Sequence, residues 1–129
     1  MLDAISTRRR EIFAFYQAAL FPLTDKGVLQ LPQVPAACDT NCHMFYILVQ
    51  NAETRDALIQ HLKQHGVQAT FHYVPLHTSG MGKKLGWNVG DLPITEDISS
   101  RLIRLPFFTQ ITEDQQSFVA NQIRDFLLR

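Results

Sequence analysis

The spacing of apolar residues predicts an amphipathic helix at the start of the chain. Over residues 3–20, Ile12, Tyr16 and Leu20 recur every four positions, as they do on one face of a helix. The helix starts almost at residue 1 without a clear capping residue. Two interpretations stay open: residues 1–20 are the end of a longer interdomain helix that continues upstream, or Asp3 or Ser6 caps the helix where it stands.

The middle of the chain predicts strands around a second helix. Residues 43–49 are apolar at both odd and even positions, which is typical of a central strand covered on both faces. Asn51 is placed to cap a following helix, and Gly66 is placed to end it. Residues 68–73 then alternate as a second strand, with Ala69, Phe71 and Tyr73 on one side and Thr70 and His72 on the other.

The remaining segments complete the predicted order of elements. Prolines and glycines mark residues 21–42 as a connector and residues 75–93 as a long Gly-rich loop. Thr95 predicts a short helix over 96–100, and a short strand is expected over 101–105. Thr112 and Gln115 form a capping-box pattern before a last amphipathic helix.

This order predicts an α+β fold. The predicted elements are, in order, helix, strand, helix, strand, loop, strand and helix. They suit a two-layer sandwich, in which the strands form a small sheet and the helices pack on one of its faces. The 129 residues suit a single domain, 1–129.

Composition and charge exclude several classes of protein. A hydrophobic fraction of 46% argues against disorder, and twelve basic residues balanced by twelve acidic ones argue against a nucleic-acid partner. The longest apolar run, 44–49, is too short to insert into a membrane, and Arg8-Arg9-Arg10 is not followed by the apolar region of a secretory signal. Only two cysteines occur, Cys38 and Cys42, so we expect free thiols and a cytoplasmic location, with a local disulfide as the alternative.

The candidate chemistry is concentrated in the segment His72-Tyr73-Val74-Pro75-Leu76-His77. Two imidazoles and a phenol follow the second strand and open the long loop, which is a common location for binding residues. No complete metal site is predicted, since the pairs His72/His77 and His61/His65 and the group Cys38/Cys42/His43 each lack ligands. His61 and His65 are interpreted as solvated residues on one helix face.

Other catalytic patterns are incomplete. Cys42 and His43 are adjacent, so in a strand they point to opposite faces. The run 80–84, Gly-Met-Gly-Lys-Lys, lacks the spacing of a phosphate-binding loop. None of the four lysines lies in the apolar surroundings that a Schiff-base lysine needs. The residues alone therefore indicate an α+β domain whose His/Tyr loop faces some partner surface.

Six segments, taken in order, resemble the C-terminal domain of the DegT/DnrJ/StrS family of nucleotide-sugar aminotransferases. They are Arg9 to Leu20, His43 to Ile47, Arg55 to Leu62, Gly66-Val67, His72 to His77 and Arg104 to Pro106. The resemblance implies an aspartate-aminotransferase-like fold of which this chain is the small C-terminal domain. It also favours a first helix that continues upstream.

The resemblance further implies a cofactor, substrates and an assembly. Pyridoxal phosphate and the Schiff-base lysine would belong to a preceding domain, glutamate would donate the amino group, and a dTDP-4-keto-6-deoxyhexose would accept it at C4. The full-length protein would be a homodimer, and this chain alone would be inactive. His72, Tyr73 and His77 would lie at the cleft as substrate-binding residues, and the Gly-rich loop 75–93 would face the active site.

Two features keep other functions open. After His77 the sequence departs from the family pattern, which often has an aromatic residue and a proline there, so substrate preference does not transfer. The alternative for Tyr73 is a core position at the end of the strand, and the alternative for His72 is an interface histidine whose hydrogen bonds are satisfied. A non-catalytic small-ligand-binding or interaction domain, or a small histidine-dependent enzyme, would also account for the residues.

Overall fold

The computed structural model describes all 129 residues as five α-helices and a four-stranded sheet. The elements in chain order are α1 (Leu2–Asp25), β1 (Leu29–Gln30), β2 (Tyr46–Val49), α2 (Ala52–Gln64), β3 (Thr70–Phe71), a 3-10 turn (Leu76–Thr78), α3 (Gly80–Lys84), α4 (Pro93–Arg101), β4 (Leu102–Arg104) and α5 (Glu113–Leu127). This arrangement confirms the predicted α+β fold.

The sheet is antiparallel throughout, with the strand order β1-β2-β4-β3. β2 lies in the interior of the sheet, as its apolar residues at both odd and even positions predict. Ile47, Ile103 and Phe71 pair across three strands and share one face, while Tyr46, Arg104 and Thr70 pair on the other. The second face also carries the buried pair Leu48 and Leu102, so it is polar only at the end where Tyr46, Arg104 and Thr70 lie.

The hydrophobic core lies on the face of Ile47 and Ile103, under α1, α2 and α5. Eighteen buried residues form it, and they include Ile12, Tyr16 and Leu20 from the stripe predicted for the first helix. Tyr16 is fully buried, and its hydroxyl donates a hydrogen bond to the Pro106 carbonyl at 2.9 Å. Burial also raises the pKa of the Tyr16 phenol far above its usual value, so the group stays neutral.

Three local capping predictions are confirmed. The Asn51 side chain accepts a hydrogen bond from the Thr54 backbone N–H and caps α2. Gly66 has a φ of 75° just after that helix, a conformation that glycine adopts without steric cost. Thr112 and Gln115 form both hydrogen bonds of a capping box at the start of α5.

The first helix extends further than predicted. It runs from Leu2 to Asp25 and includes Pro22, which the sequence suggested as its end. Leu23 continues the buried stripe after Leu20, and burial of this side chain favours the helix even though proline lacks a backbone donor. The helix begins before Asp3 and Ser6, so neither is its N-cap.

The predicted bounds of the strands and of the Gly-rich loop also need correction. β2 covers 46–49 rather than 43–49, β4 covers 102–104, and β3 covers only 70–71, because that edge strand pairs with β4 alone. The segment 75–93 is not structureless, since it contains the 3-10 turn and α3. α4 starts at Pro93 rather than after Thr95; proline suits the first helical position because the N–H there has no partner in the helix.

Candidate functional site

The predicted segment 72–77 forms one wall of an open groove, and α4 forms the other. The groove has a volume of about 430 Å³. It is lined by residues 72–76 on one side and by Ile94, Thr95, Ile98, Ser99 and Leu102 on the other. Its floor and far wall are mostly apolar, and His72 and Tyr73 bring polar groups to its edge.

A larger cavity of about 560 Å³ lies elsewhere, between the end of α2 and the start of α5. Phe108, Ile111 and Phe118 give it an apolar lining, and Asp114 is its only ionisable residue. It shares no lining residue with the groove beside His72. The groove is the better candidate for chemistry, because titratable side chains converge there.

His72 is half-buried at the end of the groove. Its Nδ1 atom is shielded from solvent and has no hydrogen-bond partner. Burial lowers the pKa of the imidazole, and the nearby positive charges of Arg104 and His43 lower it further. His72 is therefore neutral at pH 7 and can donate or accept a hydrogen bond without adding charge.

Tyr73 is directed away from the core. It is 75% exposed, and its ring lies 4.8 Å from that of His72 between centroids. This exposure contradicts the alternative that Tyr73 is a core residue at the end of the strand. Val74 and Leu76 are also exposed, so the segment presents an apolar and aromatic surface to its surroundings.

His77 has a different environment from the other two predicted site residues. Its side chain is 6% exposed, and its Nε2–H donates to the Glu96 carboxylate at 2.7 Å. The same carboxylate oxygen accepts the Gly90 backbone N–H at 2.7 Å. The structure thus brings His72 and Tyr73 together at the groove, whereas His77 binds the start of α4 and does not line the groove.

The Glu96 carboxylate gives the loop a dependence on pH. The hydrogen bond from His77, followed by that from the Gly90 backbone, lowers the pKa of Glu96 below its ordinary value of 4.5. A carboxyl whose pKa is lowered by folding contributes stability that is fully present above 4.5 and is lost as the pH falls through the folded-state pKa.

We therefore expect Glu96→Gln to lower the thermal midpoint at pH 7 but to have a smaller effect at pH 3, because the stability that the carboxylate contributes declines as the pH falls below 4.5 towards the folded-state pKa. Thermal unfolding of both proteins at the two pH values measures this. An equal difference between the two proteins at pH 7 and pH 3 would show that the charge of Glu96 is unimportant.

Three residues at the site received no role from the sequence. Glu96 was expected only as the start of a short helix, and nothing local relates it to a histidine 19 positions earlier. Gly82 is buried against the carbonyl groups of Leu76 and His77. Arg104 did leave a signal, because it is the only charged residue in any strand.

The other candidate chemistry of the sequence is dispersed. No group of three or more His, Cys, Asp or Glu side chains is placed to hold a metal ion. Cys38 and Cys42 are free thiols. His61 is not solvated as predicted: it is buried, its Nε2 lies 3.1 Å from the Gln122 side-chain oxygen, and its ring packs on Phe126. None of the helices is both long and apolar enough to cross a membrane.

Known proteins similar to this chain include a sugar transaminase and a protein named for regulation. A "pleiotropic regulatory protein" of Geobacillus stearothermophilus is 31% identical over 97% of this chain and 33% of its own length. The dTDP-3-amino-3,4,6-trideoxy-alpha-D-glucose transaminase of Micromonospora megalomicea subsp. nigra is 31% identical over 98% of this chain and 33% of its own length. Among solved structures, S. venezuelae DesV superimposes with a TM-score of 0.86 at 27% identity, covering 98% of this chain and 33% of DesV.

This chain therefore spans about one third of the length of the relatives that it matches. The family profile itself matches residues 1–124, which is nearly the whole chain. The resemblance carried by the six sequence segments is thus confirmed at the level of the family: the chain belongs to the DegT/DnrJ/EryC1/StrS aminotransferase family.

Proposed function

We propose that this chain is the C-terminal domain of a pyridoxal-phosphate-dependent sugar aminotransferase. In this proposal the whole enzyme transfers an amino group from glutamate to the C4 keto group of a dTDP-4-keto-6-deoxyhexose. The product is a dTDP-4-amino-4,6-dideoxy sugar of the kind used in enterobacterial common antigen and other cell-surface polysaccharides. The observation that carries the proposal is the family match over residues 1–124.

The residues of this chain do not suit attachment of the cofactor. A Schiff-base lysine needs desolvated surroundings or a neighbouring positive group that lowers its pKa. Lys26, Lys63, Lys83 and Lys84 are all exposed. We therefore assign the cofactor and its lysine to the two thirds of the relatives' length that this chain does not span.

The role that we assign to this chain is to bind and orient the substrate. His72 and Tyr73 stand at the edge of the groove, where a neutral imidazole and a phenol can hydrogen-bond the hydroxyl groups of a sugar. His77 contributes indirectly, since its bond to Glu96 fixes the segment that carries the other two residues. The exposed apolar side chains around them suit a surface that is covered by the rest of a cytoplasmic, homodimeric enzyme.

The test requires the protein encoded together with the reading frame upstream of Met1. This longer protein is expected to form a 4-amino sugar from dTDP-4-keto-6-deoxyglucose, with glutamate converted to 2-oxoglutarate, when pyridoxal phosphate is supplied. Mass spectrometry of the nucleotide sugar measures the reaction. The chain of residues 1–129 alone is the control and is expected to give no product.

Two outcomes would contradict the proposal. One is turnover by residues 1–129 alone. The other is a longer protein that rejects the 4-keto sugar but aminates dTDP-3-keto-4,6-dideoxyglucose, because one relative is named for a 3-amino-3,4,6-trideoxy product. The second outcome would keep the aminotransferase class and change the position of amination.

A further inference from the structure

Arg104 occupies an unusual position on the face of the sheet opposite the hydrophobic core. It is the last residue of β4, and it pairs in register with Tyr46 on one side and Thr70 on the other. Directly paired residues on one face have Cβ atoms about 5 Å apart, so a guanidinium, a phenol and a hydroxyl form one polar row. His72 follows two residues after Thr70 and extends this row towards the groove.

The guanidinium of Arg104 has no partner in the chain. It forms no hydrogen bond and no ion pair, although the residue is half-buried. Arg8 and Arg101 are also half-buried but have partners: Arg8 donates to two backbone carbonyls, and Arg101 pairs with Asp97 and donates to the Val49 carbonyl. Arg9 on α1 also lacks a partner, but only Arg104 lies in the sheet, beside His72. Because a partly desolvated charge is unfavourable without a counter-charge, Arg104 lacks an anion that the chain does not supply.

The groups around Arg104 leave its positive charge uncompensated. The neighbours that lower the pKa of His72 are Arg104 and His43, and both are basic. His72 responds by staying neutral, so it can offer a hydrogen bond beside the guanidinium without repelling it. Tyr46 and Thr70 add hydroxyl donors in the same row. A guanidinium among neutral donors can bind two oxygens of a carboxylate or a phosphate through two parallel hydrogen bonds.

We infer that Arg104 binds an oxyanion of the substrate on the face of the sheet opposite the core, assisted by Tyr46, Thr70 and His72. The inference rests on the proposed function, which offers two sources for such a group. One is a carboxylate of the amino donor, and the other is the diphosphate of the nucleotide sugar. Arg104 is thus a binding residue, and it selects for negative charge at one of the two substrates.

Steady-state kinetics of the longer enzyme tests this inference. Arg104→Gln is expected to raise KM on the order of 10- to 100-fold for one substrate, glutamate or dTDP-4-keto-6-deoxyglucose, because a charge-assisted hydrogen bond is lost. The KM of the other substrate should change little. Arg104→Lys keeps the charge but loses the two-pronged geometry, so its KM should fall between those of the wild type and Arg104→Gln.

Arg124→Gln is the matched control. It makes the same chemical change at an exposed arginine of α5 that also lacks a partner, and it should leave both KM values unchanged. Which KM rises identifies the source of the oxyanion. The inference is overturned if neither KM rises in Arg104→Gln, or if Arg104→Lys behaves like that variant. If Arg104→Gln does not fold, Arg104→Lys still tests the inference. An inactive wild-type enzyme would instead contradict the proposed function.

Discussion

Gly82→Ala is expected to lower the free energy of unfolding by about 1–3 kcal/mol, the range for an extra methyl group forced into a packed site. A Cβ atom at this position would collide with the backbone carbonyls of Leu76 and His77. Backbone atoms cannot turn aside as a flexible side chain can, so α3 and the 3-10 turn must separate. The substitution would therefore loosen the segment between His77 and Trp87.

Gly80→Ala is the matched control for this prediction. It lies in the same short helix, and nothing is within 4 Å of the position that its Cβ would occupy. Alanine favours a helix over glycine by up to about 1 kcal/mol, so this variant should be as stable as the wild type or slightly more stable. Urea unfolding measures both variants. Hydrogen exchange of the Leu85 and Trp87 amides, which bond to carbonyls within α3, reports the local loosening.

The prediction has a clear opposite result. If Gly82→Ala is as stable as Gly80→Ala, and the Leu85 and Trp87 amides remain protected, then the close approach between α3 and the 3-10 turn does not hold this segment in place.

His77→Ala is expected to reduce sugar-dependent turnover of the longer enzyme on the order of 10- to 100-fold, the effect of a displacement of about 1 Å at a reacting site. The side chain joins the 3-10 turn to α4 through Glu96. Without it, the wall of the groove that carries His72 and Tyr73 loses its fixed position. Binding of pyridoxal phosphate should be unaffected, because we assign the cofactor to another part of the enzyme.

Two comparisons show how His77 acts. Glu96→Gln should reduce turnover in the same direction if His77 positions the loop, whereas it should be nearly harmless if His77 contacts the sugar directly. His65→Ala is the control, since that exposed histidine bonds only to a carbonyl of its own helix. Visible absorbance of the bound cofactor is the second measurement. Loss of the cofactor from His77→Ala would mean that the residue belongs to the cofactor site.

The sequence by itself determined the features that depend on neighbours along the chain. Asn51 and the pair Thr112 and Gln115 cap helices through bonds that span three residues, and Gly66 ends a helix by its own backbone freedom. The spacing of apolar residues was enough to predict the buried stripe of α1 and the strand β2 with apolar residues on both faces. These local signals, with the six ordered segments, were sufficient for the α+β fold and for the family.

Tertiary structure alone decided which side chains meet. Because Leu23 is buried, α1 continues past Pro22. Packing also places two backbone carbonyls at the position that a Cβ of residue 82 would occupy. The sequence placed His72 and His77 in one loop. In the fold, His77 contacts Glu96 and His72 lies near Arg104. Neither contact could be predicted from the sequence, because the first joins residues 19 positions apart and the second depends on the pairing of β3 with β4. Periodicity predicts the face on which a residue lies, but a partner distant in the chain is chosen by the packing of the elements that carry it.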